Sequence, residues 1–309
     1  MPPKPQFSVS QDGKLDSFVM AINKSINEKI QALARNLSPN GSAPPNKGPL
    51  FAGVDLGTAY IVTAVVDETG SPVAGVLTRS RSYIRDGLVL DYIGAIAILR
   101  EQVRQLWDAG FPIREAAAAY PPGTTGRNAS VFRNVLEAVG LEAKALTDEP
   151  SAAGLALEIS NGAVVDIGGG TTGISVIRDG KVIYTADEAT GGIHVDLVLA
   201  GHYQISDVEA EELKRDPDRQ DELFPVICPV FEKMASIVNH HLSFQPAETL
   251  YLVGGTSEFP GIERVMEKET RLPVLKPQTP LLVTPLGIAL NCLRNVSGPA
   301  DSDKESYRG

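Results

Sequence analysis

Cysteine, tryptophan and clustered basic residues are scarce in this chain, and each scarcity closes off a class of function. Of 309 residues, two are cysteine and one is tryptophan. Cys228 and Cys292 lie in apolar stretches without Cys-x-x-Cys or His/Cys spacing, which predicts reduced, buried thiols in a cytosolic protein and excludes a disulfide framework or zinc site. Lys and Arg total 28 against 38 Asp and Glu, a net charge of −10. With no basic run to offset it, that charge repels a phosphate backbone and rules out nucleic acid as a partner. No apolar run reaches the roughly 18 to 20 residues of a membrane span and no signal-peptide core opens the chain, so no membrane partner is expected and the localisation is read as cytoplasmic. The four histidines, His194, His202, His240 and His241, have no metal-ligand spacing and are read as structural or surface residues. A Gly-x-x-x-x-Gly-Lys-Ser/Thr phosphate loop is also missing.

What is present divides into five parts. In residues 1–37, Leu15, Phe18, Val19, Ile22, Ile26, Ile30, Leu33 and Leu37 recur at three- and four-residue intervals, the stripe of an amphipathic helix. Residues 38–49, "SPNGSAPPNKGP", are too rich in Pro, Gly and Ser for a core and form a linker. The helix must bury its apolar face against its own domain or another protein, and the sequence leaves both open. Residues 50–160 open with three β-rich runs broken at Gly57-Thr58 and "DETGS", then give a long helical pattern over 88–110, a strand, a helix, a strand and a helix opening at Glu149-Pro150. At 161 the order restarts: three β-runs with a turn at Asp179-Gly180, helices, "TLYLVGG" and a further helix. Residues 294–309 are a polar tail, disordered on composition. Because "GVDLGT" and "VVDIGGGT" hold equivalent places, the chain reads as an internal duplication with a cleft between its halves.

The two glycine turns carry the chemistry. Gly168-x-Gly170-x-x-Gly173 formally fits a dinucleotide fingerprint, but that motif needs a helix next, and "ISVIRDGKVIY" is β-branched and broken by a turn. The remaining mechanism is a β-hairpin whose tight turn aims backbone N–H groups and threonine hydroxyls at a phosphate. Two such hairpins, preceded by Asp55 and Asp166, could clamp a nucleotide tail from both sides while the carboxylates hold hydrated Mg²⁺.

The phrases "VDLGT", "DEPSAAG", "VVDIGGGTT", "EELKR", "LVGGTSEFPGI" and "TPLGIAL" occur in the order of the actin/DnaK-like ATPase superfamily, which the chain resembles from Gly53 to Leu290. "YPPGTTGRN", "ADEATGGIHVDLVLAG" and "FEKMASIV" resemble, more narrowly, the EutJ family of ethanolamine-utilization chaperone-like proteins from bacterial microcompartment operons. The resemblance implies an α/β, actin-like ATPase (ribonuclease H-like) fold of duplicated βββαβα domains with ATP or ADP and Mg²⁺ in the cleft. It implies Asp55 near the metal with Gly57 and Thr58 at the phosphates, and Asp166 with Gly168, Gly169, Gly170, Thr171 and Thr172 opposite. Glu149 would orient an attacking water. Glu211 would meet the ribose, with Lys214 and Arg215 beside the adenine, and Gly254, Gly255 and Thr256 would form the adenosine loop. Gly287 would mark a close helix approach. Implied partners are ethanolamine-utilization enzymes or microcompartment shell proteins, docking through helix 15–37, with microcompartment association as a corollary.

The chain departs from the superfamily pattern twice. Gly173 stands where many relatives carry aspartate, and the lysine that DnaK-type chaperones place after the first meander is missing, leaving Arg79, Arg81 and Arg85 as the nearest cations. An arginine's forked, bulkier head does not replace a lysine. Both losses imply phosphate binding with weak hydrolysis. The functional expectation is an ATP-binding chaperone-like or assembly factor; the alternative is a non-hydrolysing nucleotide-binding scaffold or filament former. A small-molecule kinase is disfavoured, because none of Asp148, Asp187 and Asp196 has a base's place.

Overall fold

The structure, a computed structural model, describes residues 14–38, 48–80, 84–85, 88–89, 92–124 and 127–297, without the side chains of 14–23, 84–85, 88–89, 127 and 297. Most of the linker (39–47), Arg81, the Arg85 side chain, and 298–309 of the tail therefore lie outside the described residues.

Helix α1 (Lys14–Arg35) is followed by strands β1 (Leu50–Leu56), β2 (Tyr60–Asp67) and β3 (Pro72–Arg79), the expected meander. Two-residue strands β4 (Ile84–Arg85) and β5 (Leu88–Val89) pair with each other, so the helical pattern expected over 88–110 becomes helix only at α2 (Tyr92–Asp108). Strand pairing claims Leu88 and Val89 before a first turn can form. Then come β6 (Glu115–Tyr120), α3 (Arg127–Ala138), β7 (Glu142–Asp148) and α4 (Glu149–Ala156). Asp148 caps α4 by accepting from the Ser151 amide at 2.9 Å, and Pro150 occupies the first turn, where its missing N–H costs nothing.

The second half repeats the scheme with β8 (Gly162–Ile167), β9 (Thr172–Arg178) and β10 (Lys181–Glu188), then α5 (Gly192–Tyr203), α6 (Asp207–Arg215), α7 (Gln220–Leu242), β11 (Leu250–Val253), α8 (Ile262–Thr270), β12 (Val274–Leu275) and α9 (Val283–Ser297). The β9–β10 turn falls at Asp179-Gly180, whose φ values of 52° and 70° suit a tight hairpin. The strand orders are β3-β2-β1-β6-β7 and β10-β9-β8-β11-β12, the same permutation twice. In each sheet the acid-bearing strand pairs antiparallel with the next strand and parallel with the fourth strand of that sheet in chain order. The duplication read from two short phrases thus extends to every strand of both sheets.

The outer face of the first sheet packs on α2 and α3, and that of the second on α5 to α8. Between the sheets lies an apolar layer built from α1, α4 and α9. The last described helix returns to the first sheet, against β1, β2 and β6, and Arg294–Ser297 continue that helix. Glycines allow this close packing. A Cβ on Gly287 would overlap the Ala152 carbonyl of α4, and one on Gly53 of β1 would stand 2.5 Å from the Pro285 carbonyl of α9. The close approach expected at Gly287 is the α4–α9 crossing.

Helix α1 is spent on the protein's own body from Ile26 onward. Ile26, Ile30 and Leu33 are buried in the central layer. Beyond the helix, Asn36 and Ser38 bond both backbone groups of Gly75, at 3.0 and 2.9 Å, which covers the exposed edge of β3. Gln31 donates to Thr279 Oγ1 at 3.1 Å and Asn27 Oδ1 accepts from the Gln278 amide at 3.3 Å, so the same helix also touches the second half.

Candidate functional site

Between the halves lies a cavity of about 730 Å³, lined by Asp55, Gly57, Thr58, Glu149, Asp166, Gly168 to Thr171, Glu211, Lys214, Arg215 and Gly254 to Thr256. That volume is in the range of small-molecule and cofactor sites. Residues scattered from 55 to 256 along the chain are gathered here because β1 and β8 end at the same place in equivalent sheets.

The two glycine turns face each other. A Cβ on Gly169 would stand 3.1 Å from Ala59 Cβ and 3.6 Å from Thr58 Cβ. The second turn is closed by Gly168 N–H donating to Thr171 O at 3.0 Å and is tied down from behind by α5. Gly192 N–H donates to Gly168 O at 3.0 Å and Ile193 N–H to Gly169 O at 2.8 Å, with Thr256 Oγ1 adding a bond to Gly168 O at 2.8 Å. In a trans peptide, C=O and N–H point opposite ways. The N–H groups of Gly169 and Gly170 therefore point away from α5, the orientation an anion cradle requires. Gly191 gives α5 this approach, since a Cβ there would meet the Gly169 carbonyl at 2.8 Å.

Thr172 does not line the cavity with the rest of the turn. It is buried, and its hydroxyl donates to Thr190 O at 2.6 Å, bracing the loop instead of facing a phosphate. His194, beside the same turn, accepts from the Gly191 amide at 3.2 Å; His241 is buried between Tyr184 and Glu188. Both are structural, as the sequence implied.

Three carboxyl groups crowd the floor of the cleft. Asp166 is 8% exposed, and its Oδ2 accepts from Thr284 Oγ1 at 2.7 Å. Gly254, at φ 87°, passes directly over the other Asp166 oxygen, where a Cβ would overlap it. Burial raises Asp55 to about 7, with the neighbouring Asp166 charge adding to the effect. Burial likewise raises Asp166 to about 6, against the lowering by the Thr284 bond. Burial and then the charges of Asp55, Asp166, Asp187 and Asp148 push Glu149 well above the usual carboxylate range. Asp55 and Glu149 line the cavity and keep partial contact with it. Acids gathered this closely favour protonation or the approach of a cation. Among the described residues no three His, Cys, Asp or Glu side chains are arranged to hold a metal directly.

The α6 residues expected at the nucleoside reach the cavity with partners already in place. Lys214 Nζ is 2.6 Å from Asp196 Oδ1 and donates to Gly192 O at 3.2 Å. Glu211 is held by Arg79, and the Arg215 guanidinium lies 5.5 Å from the Tyr60 ring centre. The sequence marked Arg79 only as a cation following the first meander and gave no role to Tyr60, Asp196 or Thr284. Tyr60 and Arg79 are cross-strand partners, a signal visible only once the β2–β3 register is known. Gly173 faces proline: a Cβ there would stand 3.2 Å from Pro150 Cγ and 3.6 Å from Pro122 Cγ.

Comparison with known proteins agrees with this fold. The family model for type IV pilus assembly protein PilM matches residues 144–281, and that for MreB/Mbl protein matches residues 78–206. Ethanolamine utilization protein EutJ of Escherichia coli (strain K12) is 44% identical over 252 residues, covering 81% of this chain and 88% of that protein. The crystal structure of EutJ from Carboxydothermus hydrogenoformans superposes with a TM-score of 0.79 at 46% identity, over 88% of this chain and 98% of that one. MreB5 of Spiroplasma citri bound to AMPPNP, at 18% identity and a TM-score of 0.65 over 78% of this chain and 95% of that one, shares the fold. The fold is the actin-like ATPase fold.

Proposed function

The chain belongs to the EutJ family of ethanolamine utilization proteins, and we propose that it binds ATP and ADP in the interdomain cleft and acts as a chaperone-like or assembly factor for ethanolamine breakdown in a bacterial microcompartment. The observation that carries the reading is the facing pair of glycine turns above the carboxyl groups of Asp55, Glu149 and Asp166. The backbone amides of Gly169 and Gly170, with the Gly57-Thr58 turn opposite, would hold the phosphates. Asp55 and Asp166 fit hydrated Mg²⁺, which when bound would neutralise phosphate charge. Burial, and after it the charges of its acidic neighbours, raises Glu149 well above the usual carboxylate range. Positive charge entering the cleft would favour its ionised form, which can accept a hydrogen bond from a water beside the terminal phosphate.

Hydrolysis on this reading is weak, because Gly173 contributes no side chain. The second reading, a nucleotide-gated scaffold or filament former that does not cleave, rests on that same glycine. Titration with ATP and ADP, with and without Mg²⁺, followed by phosphate release at verified saturation, separates the two. Mg²⁺-dependent binding with slow release, both lost in Asp166→Asn, supports the ATPase; tight binding without release supports the scaffold. Absence of binding at millimolar nucleotide refutes both.

For partners, we propose that ethanolamine-utilization enzymes or shell proteins read the part of α1 preceding Ile26, since the later turns are packed on the protein's own core. Removing residues 1–23 while keeping Ile26 to Leu37 should abolish co-purification with those proteins and leave stability unchanged. Retained co-purification would refute the assignment.

A further inference from the structure

Four residues face each other across the cleft in two matched pairs. Tyr60 opens β2 and Arg79 closes β3, and the two are directly opposed in the antiparallel register. Glu211 and Arg215 are four residues apart on α6, so they share a helix face. One pair belongs to the first half of the chain and the other to the second. Arg79 Nη2 is 2.5 Å from Glu211 Oε2, and Arg79 Nε donates to Glu211 Oε1 at 3.2 Å, a two-point contact that engages both carboxylate oxygens. Beside it the Arg215 guanidinium sits at cation–π distance from Tyr60, 5.5 Å from the ring centre. The ion pair is about two-thirds shielded, with side-chain exposures of 31% and 27%. All four residues line the cavity.

We propose that Tyr60, Arg79, Glu211 and Arg215 form a clasp that holds the two halves together at the nucleoside end of the cleft and makes nucleoside recognition depend on closure. A two-point arginine contact uses one lone pair on each carboxylate oxygen and leaves a second on each. Arg79 therefore orients Glu211 without disabling it as an acceptor for sugar hydroxyls. The acid reaches its binding geometry only while a residue of the other half holds it there. Opening releases Arg79 and Tyr60 together, because their register on adjacent strands moves them as one. Entry and exit of the nucleoside pass through the unclasped form. The clasp itself stands on the contacts above, whereas its effect on nucleoside binding rests on the nucleotide reading of the cleft.

Two measurements test these parts separately. In the first, no nucleotide is present. Spin labels on exposed Glu137 of α3 and exposed Lys233 of α7, in full-length protein with Cys228→Ser, report the distance between halves. Arg79→Ala and Glu211→Ala should each broaden and lengthen the distribution, the double variant should go no further, and Arg79→Glu with Glu211→Arg should restore a narrow one. Arg79→Ala indistinguishable from the parent, or a charge swap that stays as open as the single variants, would overturn the clasp. Restoration in the swap guards against variants that merely misfold.

In the second, a fluorescent ADP with Mg²⁺ is displaced by excess ADP. Dissociation should be about fivefold faster in Arg79→Ala, the scale of a partly shielded ion pair, and inorganic pyrophosphate affinity should not change. Unchanged or slower release would overturn the coupling and mark Arg79 as a competitor of the sugar. If the parent protein binds no nucleotide, the functional reading fails while the label distances still decide the clasp.

Discussion

The acids on the cleft floor make the ligand-free protein a native state that prefers protons, which Asp55→Asn should reveal. Asp55 is raised from its ordinary 3.8 to about 7 and Asp166 to about 6. A carboxyl whose folded value exceeds its unfolded one binds a proton in the native state at pH values where the unfolded chain has released it. Stability must then fall as pH rises, from about 4 up to about 7, and stay low above. A rise from 3.8 to about 7 corresponds to about 4 kcal/mol, and partial access of Asp55 to the cavity reduces this to roughly 2 kcal/mol. Asparagine keeps the shape and carries no charge. In urea unfolding at pH 5, 6, 7 and 8, the parent should lose stability across the series. Asp55→Asn should exceed the parent by less than about 1 kcal/mol at pH 5 and by about 2 kcal/mol at pH 8, flattening the profile. Adding Mg²⁺ with ADP at pH 8 should rescue the parent and leave the variant unmoved. A variant less stable than the parent at pH 8, or a parent that gains stability toward pH 8 with the variant parallel to it, would refute the electrostatic account.

Three further perturbations probe the frame around that floor. Thr284→Val removes the donor to Asp166 Oδ2 and should cost about 1.5 kcal/mol in urea unfolding, with Mg²⁺-dependent nucleotide binding weakened in the same protein. Gly287→Ala drives a methyl into the Ala152 carbonyl at the α4–α9 crossing and should lower stability by about 3 kcal/mol or prevent folding, read by the melting temperature. Leu33→Ala, at a fully buried position on α1, should cost about 3 kcal/mol in the full-length protein; an effect below about 0.5 kcal/mol would show that α1 is not docked in solution.

Local chemistry was legible in the sequence where it is written in short phrases. The glycine turns, their preceding aspartates, Pro150 at the start of α4 and the Asp179-Gly180 hairpin all stand where backbone preference alone puts them. Repetition was legible too, because the restart at 161 follows strand for strand. Relations that arise only when sheets pack were not. Arg79 is a cation at the end of a strand until the β2–β3 register sets Tyr60 beside it and the cleft brings Glu211 within reach. Thr284 opens the phrase "TPLGIAL" without a role of its own until α9 crosses back and turns its hydroxyl to an aspartate 118 positions away. Thr172 looks like a phosphate ligand in "GGGTT", yet strand pairing of β9 turns it to the Thr190 carbonyl. The apolar stripe of α1 required burial without naming the surface, which proves to be the central layer with α4 and α9 together with Gly75 of β3, where a Cβ would crowd Leu33.

Gly173 bears most directly on catalysis, and its surroundings yield an argument in two parts. A Cβ at this position meets Pro150 Cγ at 3.2 Å, tighter than ordinary packing, in the first turn of the helix that begins with Glu149. Gly173→Asp therefore forces a small shift in Pro150 and adds a carboxyl beside acids that already raise one another. Without ligand, both effects are unfavourable, and the variant should be less stable by about 1 to 2 kcal/mol at pH 8. With Mg²⁺ and ATP, the added carboxylate gains a cation to answer, so the stability difference should shrink and phosphate release should rise above the parent's. A variant destabilised equally with and without Mg²⁺ and ATP, and no faster, would show that proline packing fixes glycine here. Reduced loss together with faster release would show that Gly173 itself keeps turnover low.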